Sequence, residues 1–157
     1  MEARLNSANP MRGGIAGMLS RDSGKIVESY VLRYTFVEAD KNYAAPSRVV
    51  SLATDGTVYP GNTGTDPVIG ILVGNMRVVS DSQETAFKSG DTVEVLRAGY
   101  IFGNIDGGGA TLFANVKYEK KSGKTMMMTG INLPKAKVQK VGEANDPQLV
   151  ELYVDFR

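Results

Sequence analysis

The chain has 157 residues, with 18 lysines and arginines against 17 acidic residues, and it contains no histidine, cysteine or tryptophan. A formal net charge of +1 gives it no overall attraction for nucleic acid or anionic membrane, and the missing imidazoles and thiols remove most acid–base, thiol-nucleophile and zinc-site mechanisms near neutral pH. At this length the expectation is one domain with a core that needs no disulfide or metal staple.

Met1 to Lys25 is glycine-rich, with scattered Met11, Ile15, Met18 and Leu19 and no apolar run of signal-peptide length, and it reads as an extended arm. Residues 26–157 read as the body. Ile26 to Glu38 alternates at Tyr30, Leu32, Tyr34 and Phe36 and is expected to be a strand. Val49–Ala53 and Thr57–Tyr59 flank the Asp55-Gly56 turn, and Val68–Val73 (VIGILV) is apolar on both faces, as a central strand covered on each side would be. Asp81–Lys88 is expected to form a helical turn. Thr92–Leu96, the alternating set Leu112, Ala114, Val116 and Tyr118, and Lys135–Val138 follow as strands, separated by turn signals at Ser89-Gly90-Asp91, Asp106 to Gly109 and Ser122-Gly123. In the last strand Val150, Leu152, Val154 and Phe156 alternate with Glu151, Tyr153 and Asp155, so one face is expected to be buried and the other wet. The fold class is all-β: a single antiparallel β-barrel or sandwich domain with an extended N-terminal arm. No stretch approaches the roughly 20 apolar residues that span a bilayer.

Chemistry-bearing motifs are sparse. SGKT at Ser122 to Thr125 matches the end of a phosphate-binding loop, but the earlier glycine is replaced by Tyr118 in an alternating strand, and a hairpin turn accounts for it better. Asp40-Lys41-Asn42 begins like a calcium loop yet lacks its glycine and distal glutamate, so no metal is expected. The stretch AGYIFGNIDGGG from Ala98 is similar to the substrate-pocket strand of trimeric dUTPases, but the accompanying serine motif and catalytic aspartate are not found, which leaves a β-rich hydrolase as a remote alternative. No acidic residue stands in a distinctive pair for glycoside hydrolysis. Lys117, Lys120, Lys121 and Lys124 beside Tyr118 form a basic hairpin that reads as a solvated tip, and Met126 to Met128 reads as alternating core and edge positions. Catalytic, cofactor and metal sites are therefore all expected to be absent.

The order of segments resembles that of the structural cement proteins of tailed bacteriophage heads. Gly17-Met18 is followed by Asp22-Ser23-Gly24 and KIVESY, then the apolar strand at Val68–Val73. Gly90, Asp91, Val93, Val95, Leu96 and Gly99 fill a Gly-Asp-x-Val-x-Val-Leu-x-x-Gly turn, followed by Tyr100 to Phe102, and Leu133-Pro134-Lys135-Ala136-Lys137 and Leu149 to Phe156 close the pattern. Two places differ from it: Ala44 to Arg48 reads AAPSR where relatives carry a Phe-Gly pair, and Pro134 is followed by lysine where glycine is usual.

The resemblance implies a non-catalytic decoration protein on the outer surface of the expanded head, made in the host bacterial cytoplasm, with the major capsid protein and further copies of itself as partners. A homodimer or homotrimer on capsid symmetry axes is expected, and neither nucleic acid nor membrane is a partner. Met11, Arg12, Ile15, Met18 and Leu19 are the candidate capsid contacts. The alternative is a virion-surface ligand-binding module, in which Tyr43, Tyr59, Tyr100 or Tyr153 would stack on carbohydrate rings.

Overall fold

A computed structural model describes residues 15–21, 24–35, 43–75, 78, 86–107, 109–142 and 148–157. Among the described residues nine strands form one antiparallel sheet: β1 (Ile26–Val31), β2 (Val49–Leu52), β3 (Val58–Pro60), β4 (Val68–Val73), β5 (Thr92–Asn104), β6 (Asn115–Tyr118), β7 (Thr125–Met126), β8 (Ile131–Lys140) and β9 (Leu149–Asp155). Their order is β3-β2-β4-β5-β9-β8-β6-β7, with β1 also on β5. The all-β expectation holds.

The 13-residue strand β5 organises everything else. Ala98 is paired with both Ile26 and Asp155, and Leu96 with both Val27 and Ile71. A strand residue has only two edges, so β1 lies along one edge of β5, and β4 and β9 share the other, β4 beside the first half and β9 beside the second. The sheet therefore divides into two wings that have β5 in common. Each wing curls back on itself. Leu32 makes a parallel bridge to Val58, and Arg33 N–H donates to Val58 O at 2.9 Å, bringing the end of β1 to β3. Asp106 bridges Met126 in the same way, with Asp106 N–H donating to Thr125 O at 2.8 Å.

Two apolar clusters fill the curled wings. One gathers Ile71, Val73, Leu96, Ile101, Val116, Leu133, Val138, Leu152, Val154 and Phe156, and the other Leu32, Val50, Val58, Ile69, Leu72, Phe87, Val93 and Val95. Strand β4 separates them, with Ile71 and Val73 on one side and Leu72 on the other, as its two-sided apolar sequence leads one to expect.

Several boundaries differ from the sequence reading, each for a local reason. The expected strand over 26–38 ends at Val31, where Leu32 swings fully inward; residues 36–38 lie outside those described. Of the helical turn expected at 81–88, residues 81–85 lie outside the described residues, and Phe87 is a buried bridge partner of Ala44. Leu112 sits in a turn at 46% exposure, not in a strand. AAPSR forms a tight turn: Arg48 N–H donates to Ala45 O at 3.3 Å, Pro46 occupies the second position and Ser47 the third with φ 72°. In β8 the pairing with β6 jumps from Leu133 to Lys137, because Pro134 has no N–H to offer the ladder and the segment bulges outward.

Strand β4 approaches β5 so closely that a Cβ on Gly70 would fall 2.4 Å from Leu96 O. Gly70→Ala is expected to lower stability by about 1–3 kcal/mol through overpacking between the clusters. Chemical denaturation of the variant beside the parent checks this.

Candidate functional site

Residues 15–21 run antiparallel to the second half of β5, on the edge opposite β9. Gly17 N–H donates to Phe102 O at 2.7 Å, Phe102 N–H to Met18 O at 2.9 Å and Ser20 N–H to Tyr100 O at 3.2 Å, while Gly74 N–H reaches Gly17 O at 2.8 Å. Gly17 has φ 90°, and a Cβ there would lie 2.1 Å from Pro46 Cβ, so glycine is required on both conformational and steric grounds. Leu19 is bridged to Ile101 and packs against the first cluster. Ile15 and Met18 face outward, at 49% and 36% exposure. Met11 and Arg12 lie outside the described residues.

A buried carboxylate fastens this segment. Glu151 on β9 is only 2% exposed, a correction to its expected place on a wet face: the arm root covers it. Ser20 Oγ donates to Glu151 Oε2 at 2.6 Å, and Arg21 forks onto the same carboxylate, Nε to Oε2 at 3.1 Å and Nη2 to Oε1 at 2.9 Å. Two parallel charge-assisted bonds fix position as well as proximity. The hydrogen bond to Glu151 holds the Arg21 pKa above its ordinary value.

From this lock a row of side chains crosses the outer face of β5, β9 and β8. The Arg21 guanidinium lies 4.0 Å over the Tyr100 ring, Tyr100 and Tyr153 have centroids 5.0 Å apart at 51°, and Lys137 Nζ stands 5.9 Å from the Tyr153 ring. Register dictates the row, since Tyr100 pairs with Tyr153 and Tyr153 with Lys137. Beside it the Pro134 bulge opens a groove of about 350 Å³ lined by Asn115, Pro134, Lys135, Lys137, Tyr153 and Asp155. Asp155 is held below the usual carboxylate range, chiefly by its hydrogen bonds from Arg157.

Each tyrosine considered for carbohydrate stacking has an internal engagement: Arg48 lies 4.4 Å over Tyr43, Arg21 caps Tyr100, Lys137 approaches Tyr153, and Tyr59 Oη donates to Asp66 Oδ2 at 2.6 Å. The SGKT segment lies in the β6–β7 turn, and its backbone amide is occupied, Gly123 N–H donating to Glu119 O at 2.9 Å. Lys120 and Lys121 are exposed as expected, whereas Ser122 is fully buried and its carbonyl accepts from Arg48 Nη1 at 3.0 Å. Met127 packs inward and Met128 outward, at 79% exposure. Among the described residues no group of three or more acidic side chains could hold a metal ion, and no helix is long and apolar enough to cross a membrane.

The family model of the phage XM1 gp53 minor capsid protein matches residues 6–152, which includes the arm root, the lock and both wings. The chain belongs to that family. Among solved structures, a chain of the capsid of Myoviridae phage XM1 shares the fold with a TM-score of 0.65 at 15% identity, over 99% of this chain and 100% of the other. No curated protein sequence matches. The expected kinship with phage capsid proteins therefore holds, and at this identity the structural likeness speaks for the fold.

Sequence reasoning missed the lock at Glu151. It also missed Phe113, which is 62% exposed and held at φ 65°, with its N–H donating to Val138 O at 2.8 Å. A bulky residue in the left-handed region carries backbone strain of about 1–3 kcal/mol.

Arg21→Ala leaves the Glu151 carboxylate with Ser20 as its remaining described partner. Because Arg21 is more than a third exposed, the expected loss is about 1–2 kcal/mol, less than for a fully buried pair. Native-state hydrogen exchange is expected to show the Gly17 and Ser20 amides losing protection before those of β9.

Proposed function

We propose that the protein is a non-catalytic cement, or decoration, protein of a phage head. It binds the outer surface of the expanded capsid and bridges neighbouring major capsid protein subunits, acting with further copies of itself on capsid symmetry axes. The observation that carries this reading is the fixed arm root. Glu151 and β5 hold residues 17–21 in one place, so Ile15 and Met18 project from a rigid body, and the residues before them, Met11 and Arg12 included, start from a defined point. Leu19, turned inward, is the peg that seats the arm, and the contacts fall to its neighbours. Membership of a minor capsid protein family supports the same reading.

Cementing needs no chemical step. A protein that binds the assembled lattice and not separated subunits stabilises the lattice by RT ln(1 + [L]/Kd) at each site, and repetition over the shell multiplies a modest contact. A body already folded loses little entropy on binding.

Full-length protein is expected to co-sediment with mature, undecorated heads at a saturating ratio and to raise their disruption temperature. The double variant Ile15→Asp/Met18→Asp is expected to bind about tenfold more weakly or worse, since each apolar side chain contributes about 1.5 kcal/mol when buried. Unchanged binding after deletion of residues 1–20 would overturn the arm's role.

A further inference from the structure

The end of β1 is pinned between β3 and the turn that leads into β5. Leu32 N–H donates to Asp91 O at 2.8 Å and its carbonyl accepts from Gly90 N–H at 2.7 Å, while Arg33 N–H reaches Val58 O at 2.9 Å and Tyr34 N–H reaches Ser89 Oγ at 3.1 Å. Beside this junction lies a pocket of about 600 Å³, lined by Arg33, Tyr34, Thr35, Tyr59, Thr63 and Ser89. Its volume falls within the range of small-molecule sites, and its backbone walls are fixed before any ligand arrives. None of its residues belongs to the arm root.

The lining offers three kinds of contact. One is a cation. Arg33 is exposed, and the salt bridges of the described residues engage Arg21, Arg97 and Arg157 but not Arg33. Its charge reaches Asp55 only at longer range: that carboxyl is held below its ordinary value chiefly by hydrogen bonds from Thr57, with a smaller contribution from Arg33. Another is aromatic. Among the described residues Tyr43, Tyr100 and Tyr153 each have a cation over the ring, whereas Tyr34 and Tyr59 are engaged through their hydroxyls, Tyr34 Oη donating to Phe87 O and Tyr59 Oη to Asp66 Oδ2, both at 2.6 Å. A ring tethered at its hydroxyl holds its orientation and keeps its face for another group. The last is a set of hydroxyls. Ser89 Oγ already accepts from Tyr34 N–H, so its own proton is left for a further acceptor, and Thr35 and Thr63 stand in the same lining.

These contacts select a ligand class. A single guanidinium calls for one negative charge, best as a planar carboxylate that takes two parallel N–H bonds. Tyrosine rings without a cation call for an apolar face, and the hydroxyls call for a polar rim. A pyranose ring that bears a carboxylate supplies all three, with C–H groups on its face and hydroxyls round its edge. We propose that this pocket binds an acidic sugar, a uronic-acid unit of a polysaccharide, with its carboxylate on Arg33 and its ring against Tyr59.

Titration of isotopically labelled protein with glucuronate, followed through amide chemical shifts, tests this. Glucuronate is expected to shift the amides of Arg33 to Thr35, Thr63 and Ser89 with a Kd of about 1–10 mM, while glucose, which lacks the carboxylate, and acetate, which lacks the ring, each bind about tenfold more weakly or worse. Arg33→Ala, at an exposed site, is expected to weaken glucuronate binding about tenfold. Tyr59→Phe keeps the ring and is expected to bind within about threefold of the parent, whereas Tyr59→Leu is expected to lose binding. Should Tyr59→Leu misfold by circular dichroism, Arg33→Ala carries the test. Absence of shifts at these amides up to about 100 mM glucuronate, equal binding of glucose or acetate, or an Arg33→Ala variant that binds as the parent does overturns the proposal. No capsid enters the experiment, so its outcome and that of head binding are read separately.

Discussion

The structure depends on one strand serving two neighbours along a single edge. β5 holds β4 beside its first half and β9 beside its second, and it accepts β1 and the arm root along the opposite edge. Both apolar clusters reach it, through Val93 and Val95 on one side and Leu96 and Ile101 on the other. Displacing β5 would unpair the wings and expose both clusters at once, so the two curled halves are expected to stand or fall as one cooperative unit.

The arm root extends the same logic outward. A glycine-rich segment has little apolar area with which to hold itself down, and its position is secured by backbone pairing to Tyr100 and Phe102 and by a charge lock at Glu151. Burying a carboxylate without partners would be costly, so the arm and the second wing each require the other. Residues 17–21 are thereby held in one place by groups that lie far away in the sequence.

Legibility from the sequence follows the range of the interactions. The two-sided run Val68–Val73 and the alternation from Val150 identify strands because burial on a regular strand repeats locally. The length of β5 was hidden: glycines at 99 and 103 interrupt its pattern, although both positions continue the pairing with β9. Glu151 fell on the polar phase of an alternating strand, and nothing nearby in sequence says that Ser20 and Arg21 cover it from more than a hundred residues away. Likewise Phe113 looked like part of an alternating strand, whereas its backbone is set by the turn it occupies and by Val138. The glycine at 17 was visible in composition; the attachment of its segment to β5 is a tertiary fact.

The antiparallel run of the arm root along β5 has a mechanical meaning. Tension applied along the strand axis would strain the bonds at Gly17, Met18 and Ser20 together with the Arg21 fork, so they share the load in shear. Tension perpendicular to the sheet would instead peel the segment from Gly17 inward, one bond after another, against much smaller resistance. The attachment is therefore directional, strong under load along the line of β5 and weak under load that lifts the segment from the sheet.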